Sequence, residues 1–377
     1  MIDLDYNATT PVKDSVKEAM EPYLNGKYGN PSSIHRVGQA AKAAVEEARE
    51  NLAGALGADR EYLLVTGSGS EANTTALRSF LDRPYEDRRI LSTPVEHSSI
   101  KDTLSWLEDR GATVDRAPML ANGQPDLSWF RDQIDASVDL VSVMMVNNET
   151  GIRFPVEEIG SLAQEYDVPV HTDAVQAFGK VAINYDQLPV DLMSVSSHKI
   201  GGPKGVGVLV APKKFDLDPL IFGGHQERDR RGGTENVSGL VGFGKAAEAV
   251  RPEAFTDLAD LRDEFEAKLT DRVDAVRIVG SGTDRVGNTS GILVKGVDGE
   301  DVVMRLDLEG IAAATGSACT SGSPQPSHVI EAIPLPGDFE TSSFVRISLP
   351  PDFERDTMDN VLKKLSHVVE DLRSGNF

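Results

Sequence analysis

The sequence predicts an α/β fold, and three observations carry that expectation. Short apolar runs alternate with amphipathic helical stretches through the first two thirds of the chain. Several of these runs end in small or polar residues that go straight into a helix, and after Gly244 the pattern changes to long charged helices with few strands. The alternation implies a mainly parallel sheet flanked by helices, because parallel strands need crossover connections and are covered on both faces. At 377 residues the chain exceeds the size at which one core stops growing. Two domains are therefore expected: a large one over 1–245 and a smaller α+β one over 246–377, with the N-terminal segment a candidate to join the smaller.

The elements follow in order. Val37 to Leu56 has helical periodicity and strong helix formers, and Gly57 supplies the stop. Tyr62 to Val65 is an apolar strand running into Gly67-Ser68-Gly69-Ser70 and a second helix. Ile90 to Ser92 precedes a helix near Ile100 to Asp109; Leu140 to Val146 precedes one near Pro155 to Tyr166; Val168 to His171 is the next strand. A further strand delivers Lys199 into the glycine-rich turn Gly201-Gly202-Pro203-Lys204-Gly205, and Val208 to Val210 leaves it. Beyond Gly244 come a charged helix over Phe255 to Val273, strands at Val276 to Val279 and Ser290 to Val294, and a last helix from Glu354 to Leu372.

Charge and cysteine usage narrow the function. The formal net charge is −22, with acidic residues spread along the whole length, so the surface repels nucleic acid and anionic membranes. An excess of Asp and Glu over scarce Lys suits solubility in very high salt and points to a halophilic source. A single cysteine excludes an internal disulfide and a multi-thiolate metal site made by this chain alone, and no metal site is expected. The opening MIDLDYNATTPVKD has no signal-peptide pattern, and no run approaches a membrane span, which reads as a cytoplasmic protein.

Lys199 carries the chemistry. A lone lysine near glycines is ordinarily an exposed loop charge, but a lysine for Schiff-base work needs a fixed backbone and partial desolvation, which a strand feeding a glycine turn supplies. Asp173, after the strand Val168 to His171, lies where ligands bind in open α/β sheets; a helix cap is its plainer reading. An anionic Asp also keeps a pyridine nitrogen protonated. The Gly67–Ser70 loop offers N–H groups at a helix start, an anion site that is weak evidence alone. Together, the lysine, the acid and the phosphate cradle fit pyridoxal phosphate.

The segments Gly29-Asn30-Pro31-Ser32-Ser33-Ile34-His35, Glu96-His97, Asn147-Asn148-Glu149-Thr150-Gly151, His171-Thr172-Asp173-Ala174-Val175-Gln176, Ser196-Ser197-His198-Lys199, Arg231-Gly232-Gly233-Thr234 and Ser317-Ala318-Cys319 together resemble a cysteine desulfurase of the NifS and IscS type. They cover nearly the whole chain in the family's order. The resemblance implies a fold-type I pyridoxal phosphate enzyme of the class V aminotransferase family, a homodimer, that converts L-cysteine to L-alanine and passes sulfur to an acceptor protein such as an iron–sulfur scaffold. It implies that Lys199 joins the cofactor, that Asp173 partners the pyridine nitrogen and that His97 stacks on the ring; a capping or core histidine is the plainer reading of His97. Gly69, Ser70, Ser196 and His198 match phosphate contacts, with Thr234 reaching the neighbouring subunit's phosphate. Asn148 and Gln176 match contacts to the ring hydroxyl and the substrate side, and Arg346 the group that binds the substrate carboxylate, a bidentate fork by its chemistry. In the glycine loop, Gly and Ser stand where the family carries Ala or Thr, which implies a shifted phosphate contact.

Cys319 stands among Ser, Gly and Pro rather than in an apolar run. The resemblance makes it the nucleophile that takes the substrate sulfur as a persulfide, and a loop of turn formers suits a group that must reach a buried substrate and then hand sulfur outward. Two rivals stay open. One is a selenocysteine lyase or aminotransferase on the same fold, and the other a non-catalytic cofactor-binding partner in a sulfur-transfer complex.

Overall fold

A computed structural model describes residues 1–78, 84–316, 326–335, 337 and 339–375. The chain opens with strand β1 (Ile2–Asp3) and continues through helices α1 (Asp14–Leu24) and α2 (Arg36–Leu56). His35 caps α2 by accepting from Gly38 N, and Gly57, at φ +62°, ends it by donating back to Ala53 O. Seven strands and four helices then alternate: β2 (Leu63–Thr66), α3 (Gly69–Arg78), β3 (Arg89–Ser92), α4 (Ser98–Glu108), β4 (Thr113–Arg116), α5 (Leu127–Gln133), β5 (Leu140–Ser142), α6 (Val156–Gln164), β6 (Val170–Asp173), β7 (Leu192–Ser196) and β8 (Gly207–Val210). They form one sheet in the order β2-β8-β7-β6-β5-β3-β4. The pairings from β7 to β4 are parallel, and β8 runs antiparallel to both β7 and β2. All strands but β8 therefore end at the same edge, and the crossovers change direction beside β3, between β5 and β4.

Alternation along the strands sends side chains to two covered faces. Leu64, Leu192 and Leu209 pack with Ala72 and Ala76 of α3, whereas Val65, Val195 and Val208 join Leu52 and Leu56 of α2. Helix α7 (Val237–Glu248) lies against α2 so closely that a Cβ on Gly244 would sit 2.8 Å from Ala48 Cα. It runs through residue 245, the position where the change in sequence texture set the boundary.

The remaining elements are α8 (Pro252–Arg272), β9 (Val276–Val279), β10 (Thr289–Val294), α9 (Gly299–Leu308), β11 (Ile311–Ala312), α10 (His328–Ala332), β12 (Phe344–Ser348) and α11 (Arg355–Ser374). Strands β12-β10-β9 make an antiparallel sheet whose core includes Leu258, Phe265, Ile292, Val345, Leu362 and Val369. Leu4 belongs to this second core and β1 pairs in parallel with β11, so the N-terminus is built into the C-terminal unit. Two strands differ from the sequence expectation by more than a residue at one end or both. The ladder of β5 stops at Ser142 because Met144 N turns to the Glu96 carboxyl, although Val143 and Met145 still donate to β6. The strand begun at Val168 starts instead at Val170 and extends to Asp173 itself.

Candidate active site

The ends of the parallel strands gather the expected residues at one edge, the place where open α/β sheets bind ligands. Asp173 closes β6 and is 5% exposed; its Oδ1 accepts from Val175 N at 2.9 Å and its Oδ2 from Asn73 Nδ2 at 2.7 Å. No helix starts behind it, so this carboxylate is not a helix cap. Strand β7 ends at buried Ser196, and the single turn Ser197–Lys199 follows. Lys199 Nζ donates to Asn7 O at 2.6 Å and to Ala8 O at 2.9 Å. Burial, aided by the Arg346 charge, pushes the Lys199 amine down to about 8, against the opposing pull of Asp173 and Asp5. Burial and the charges of Lys199 and Lys204 push His198 down to about 4, so at neutral pH it is an uncharged ring near Thr9 Oγ1.

Helix α3 opens against Ser196. A Cβ on Gly69 would fall 2.8 Å from Val175 Cγ2 and 3.3 Å from Ser196 Cβ, so only glycine leaves this approach open, and Ser70 beside it is exposed. Glu71 accepts from Gly67 N and pairs with Arg231, which ties the segment carrying Thr234 to the same loop. Thr234 is exposed and borders a cavity of about 200 Å³ with Gly67, Gly205 and Arg231.

His97 does cap α4, accepting from Ser99 N, so its plainer reading holds geometrically. It also belongs to the site. Asn73 Nδ2 bonds both Asp173 Oδ2 and Ser99 Oγ, and Ser99 Oγ lies 2.8 Å from His97 Nδ1, giving a continuous chain from the acid to the imidazole. With the Ser99 backbone N–H donating to Nδ1, a neutral ring carries its proton on Nε2. Behind it, Glu96 is buried and bonded to Thr93 and Met144 N; burial raises its carboxyl to about 8, with the Asp173 charge adding to the shift.

The N-terminal segment contributes a residue that the sequence reading did not single out. Asn7, 2% exposed, accepts at its backbone oxygen from both Lys199 Nζ and Gln176 Nε2, and its Nδ2 donates to Asn148 O and Thr289 Oγ1. Arg346 on β12 is buried, with NH1 on Asn148 O, NH2 on Asp5 Oδ1 at 2.6 Å, and an Nε that has no partner among the described residues. Although it lies on a strand, this arginine is only 5% exposed and is not a solvated surface charge. Lys180, Asn73 and Glu149 also escaped notice; Lys180 was visible only as the fourth residue after Gln176.

Cys319 lies outside the described residues. Ala314 pairs with Arg346, and Gly316 packs on Glu149 and Phe344, so the chain enters 317–325 from beside the arginine. Ser327, after that segment, donates to the Glu149 carboxyl and caps α10. Burial raises Glu149 to about 7, against the Ser327 bond and the Arg346 charge.

These groups fit pyridoxal phosphate: a desolvated amine, an acid set against a strand end, and a glycine-only approach where a helix opens on a serine. Among the described residues no His, Cys, Asp and Glu grouping suits a metal ion, and no helix is long and apolar enough to cross a membrane. Known proteins agree with the geometry. A cysteine desulfurase of Nostoc sp. is 41% identical, over 99% of this chain and 94% of its own. A solved NifS-like protein superposes with a TM-score of 0.89 at 32% identity, covering 98% of this chain and 99% of its own. The structure of SspA in complex with cysteine gives 0.82 at 33% identity, with 93% and 99% covered. The aminotransferase class-V model matches residues 2–361, and the chain belongs to that family.

Proposed function

We propose that this protein is a pyridoxal phosphate-dependent cysteine desulfurase, converting L-cysteine to L-alanine and holding the sulfur as a persulfide on Cys319. The observation that carries the reading is the desolvated Lys199 amine, set among the ends of β2, β3, β5, β6 and β7 with Arg346 facing it. Lys199 joins the cofactor, Asp173 keeps its charge beside the pyridine nitrogen, and His97 covers the ring. Gly69, Ser70, Ser196 and His198 hold the phosphate, while Asn148 and Gln176 contact the ring hydroxyl and the substrate side. Bound there, the cofactor withdraws electrons from the substrate α-carbon.

The chain's own groups do the rest. The Arg346 guanidinium takes the substrate carboxylate, and its Nε, without a partner among the described residues, supports that role. A Lys199 amine that titrates near about 8 exchanges protons close to neutrality, so it removes the α-proton and later returns one. Cys319, as thiolate, attacks the substrate sulfur; the new S–S bond forms as the C–S bond breaks, the electron pair stays on carbon, and alanine leaves once that carbon is protonated. The sulfur then passes to an acceptor protein for iron–sulfur clusters, thio-cofactors or tRNA thiolation.

The working unit is a homodimer in which Thr234 reaches the neighbouring subunit's phosphate. Exposed Tyr28, Ile34 and Phe222 support a face covered by a second copy. The two units divide after α7, and the protein is cytoplasmic. The test is alanine and sulfide release from L-cysteine with a reductant present. Cys319→Ser is expected to retain the cofactor and release no alanine; turnover at the wild-type rate would refute the persulfide route and favour a selenocysteine lyase or aminotransferase.

A further inference from the structure

Lys180 is 3% exposed, and among the described residues its amine bonds only two amide oxygens, Asn7 Oδ1 and Gln176 Oε1, each at 2.6 Å. Buried lysines ordinarily carry a carboxylate partner, because an unpaired ammonium is costly to desolvate. The charges that face it are the cations Lys199 and Arg346. With burial, they lower its amine well below the usual lysine range. Its N–H groups meet two acceptors, and both are amide oxygens.

Those two bonds decide how two carboxamides lie. With Oε1 held by Lys180, Gln176 turns its Nε2 edge to Asn7 O, where it donates at 2.9 Å. Lys199 Nζ donates to the same oxygen at 2.6 Å. The Gln176 edge beside Lys199 is therefore the donor edge, and one of its two N–H groups remains for another acceptor. Asn7 is fixed likewise, since Oδ1 faces Lys180 and Asn288 while Nδ2 faces Asn148 O and Thr289 Oγ1.

We propose that Lys180 is a positioning residue that locks the Gln176 carboxamide with its N–H edge towards Lys199, so that the site offers a donor to an anionic ring oxygen of a cofactor joined there. The inference rests on the cofactor reading above and adds a residue to it that touches neither cofactor nor substrate. Without Lys180, Gln176 Oε1 loses its donor and the carboxamide can turn, presenting an acceptor to the ring oxygen.

The experiment titrates cofactor-free wild type, Lys180→Met and Lys180→Gln with pyridoxal phosphate and with the analogue lacking the ring hydroxyl, following absorbance, and records melting temperature in parallel. Lys180→Met should weaken pyridoxal phosphate binding about tenfold or more, the scale of a lost hydrogen bond to a charged oxygen, and weaken the analogue's binding far less. Lys180→Gln, which can still donate to one oxygen, should fall between and serves if the Met variant fails to fold. Equal losses for both ligands in the variants would overturn the proposal and make Lys180 a packing residue. If wild type binds neither ligand, the cofactor reading fails, and the proposal with it.

Discussion

The titration of Lys199 follows from charges whose signs the structure sets. Burial and Arg346 lower its amine to about 8, while Asp173 and Asp5 oppose them. At pH 7 roughly one tenth of such an amine is neutral, against roughly 300-fold less for a lysine at its ordinary value. Cofactor-free protein mixed with pyridoxal phosphate, quenched with borohydride over a pH series and mapped by peptide mass, should show capture at Lys199 rising through about pH 8. Arg346→Met removes the cation and frees the Asp5 carboxylate that Arg346 holds at 2.6 Å. Both changes stabilise the ammonium. The midpoint should rise by about one unit, slowing capture at pH 7 roughly tenfold. Asp5→Asn should act in the opposite direction, because it removes a carboxylate and leaves Arg346 uncompensated. A wild-type midpoint in the ordinary lysine range, or two variants that shift the same way, would refute this account. So would label on another lysine, Lys180 being the other desolvated amine beside Asn7.

Three further outcomes are expected. Asp173→Ala should weaken cofactor retention, since it removes the carboxylate proposed to partner the pyridine nitrogen and leaves Asn73 Nδ2 without its acid; unchanged affinity and turnover would contradict the proposed role. Glu149 has a folded value raised to about 7, so the folded state binds more protons than the unfolded chain from the ordinary carboxyl range up to that pH, and stability falls as pH rises through it. Glu149→Gln should remove up to about 3 kcal/mol of that pH dependence, and parallel melting curves for variant and wild type between pH 5 and 8 would argue against it. Finally, a net charge of −22 should make the fold more stable in molar salt, where screening relieves self-repulsion; a melting maximum in dilute buffer would count against a halophilic source.

What was legible in the sequence, and what was not, follows from sequence distance. Strand endings are local signals, and a mainly parallel sheet aligns them at one edge, so Gly69, Asp173 and Lys199, each read beside a strand end, could be placed together, whereas His97 and Asn148 came only from the family's motifs. Of the small unit's strands, β9 and β10 were found by the same alternation, within a residue of their observed limits. Asn7 left no such signal. It is a polar residue in a stretch without periodicity, and it acquires its role only because β1 pairs with β11 and carries it under Lys199, 192 positions away in sequence. Lys180 and Glu149 escaped for a related reason: a charged side chain in a turn reads as a solvated one until distant segments bury it. Burial is also what shifts their titration, so the groups that tune this site are those whose chemistry local pattern conceals. Reading a strand-end motif therefore finds groups at the candidate site, while the residues that orient them emerge only when the termini and turns are folded onto it.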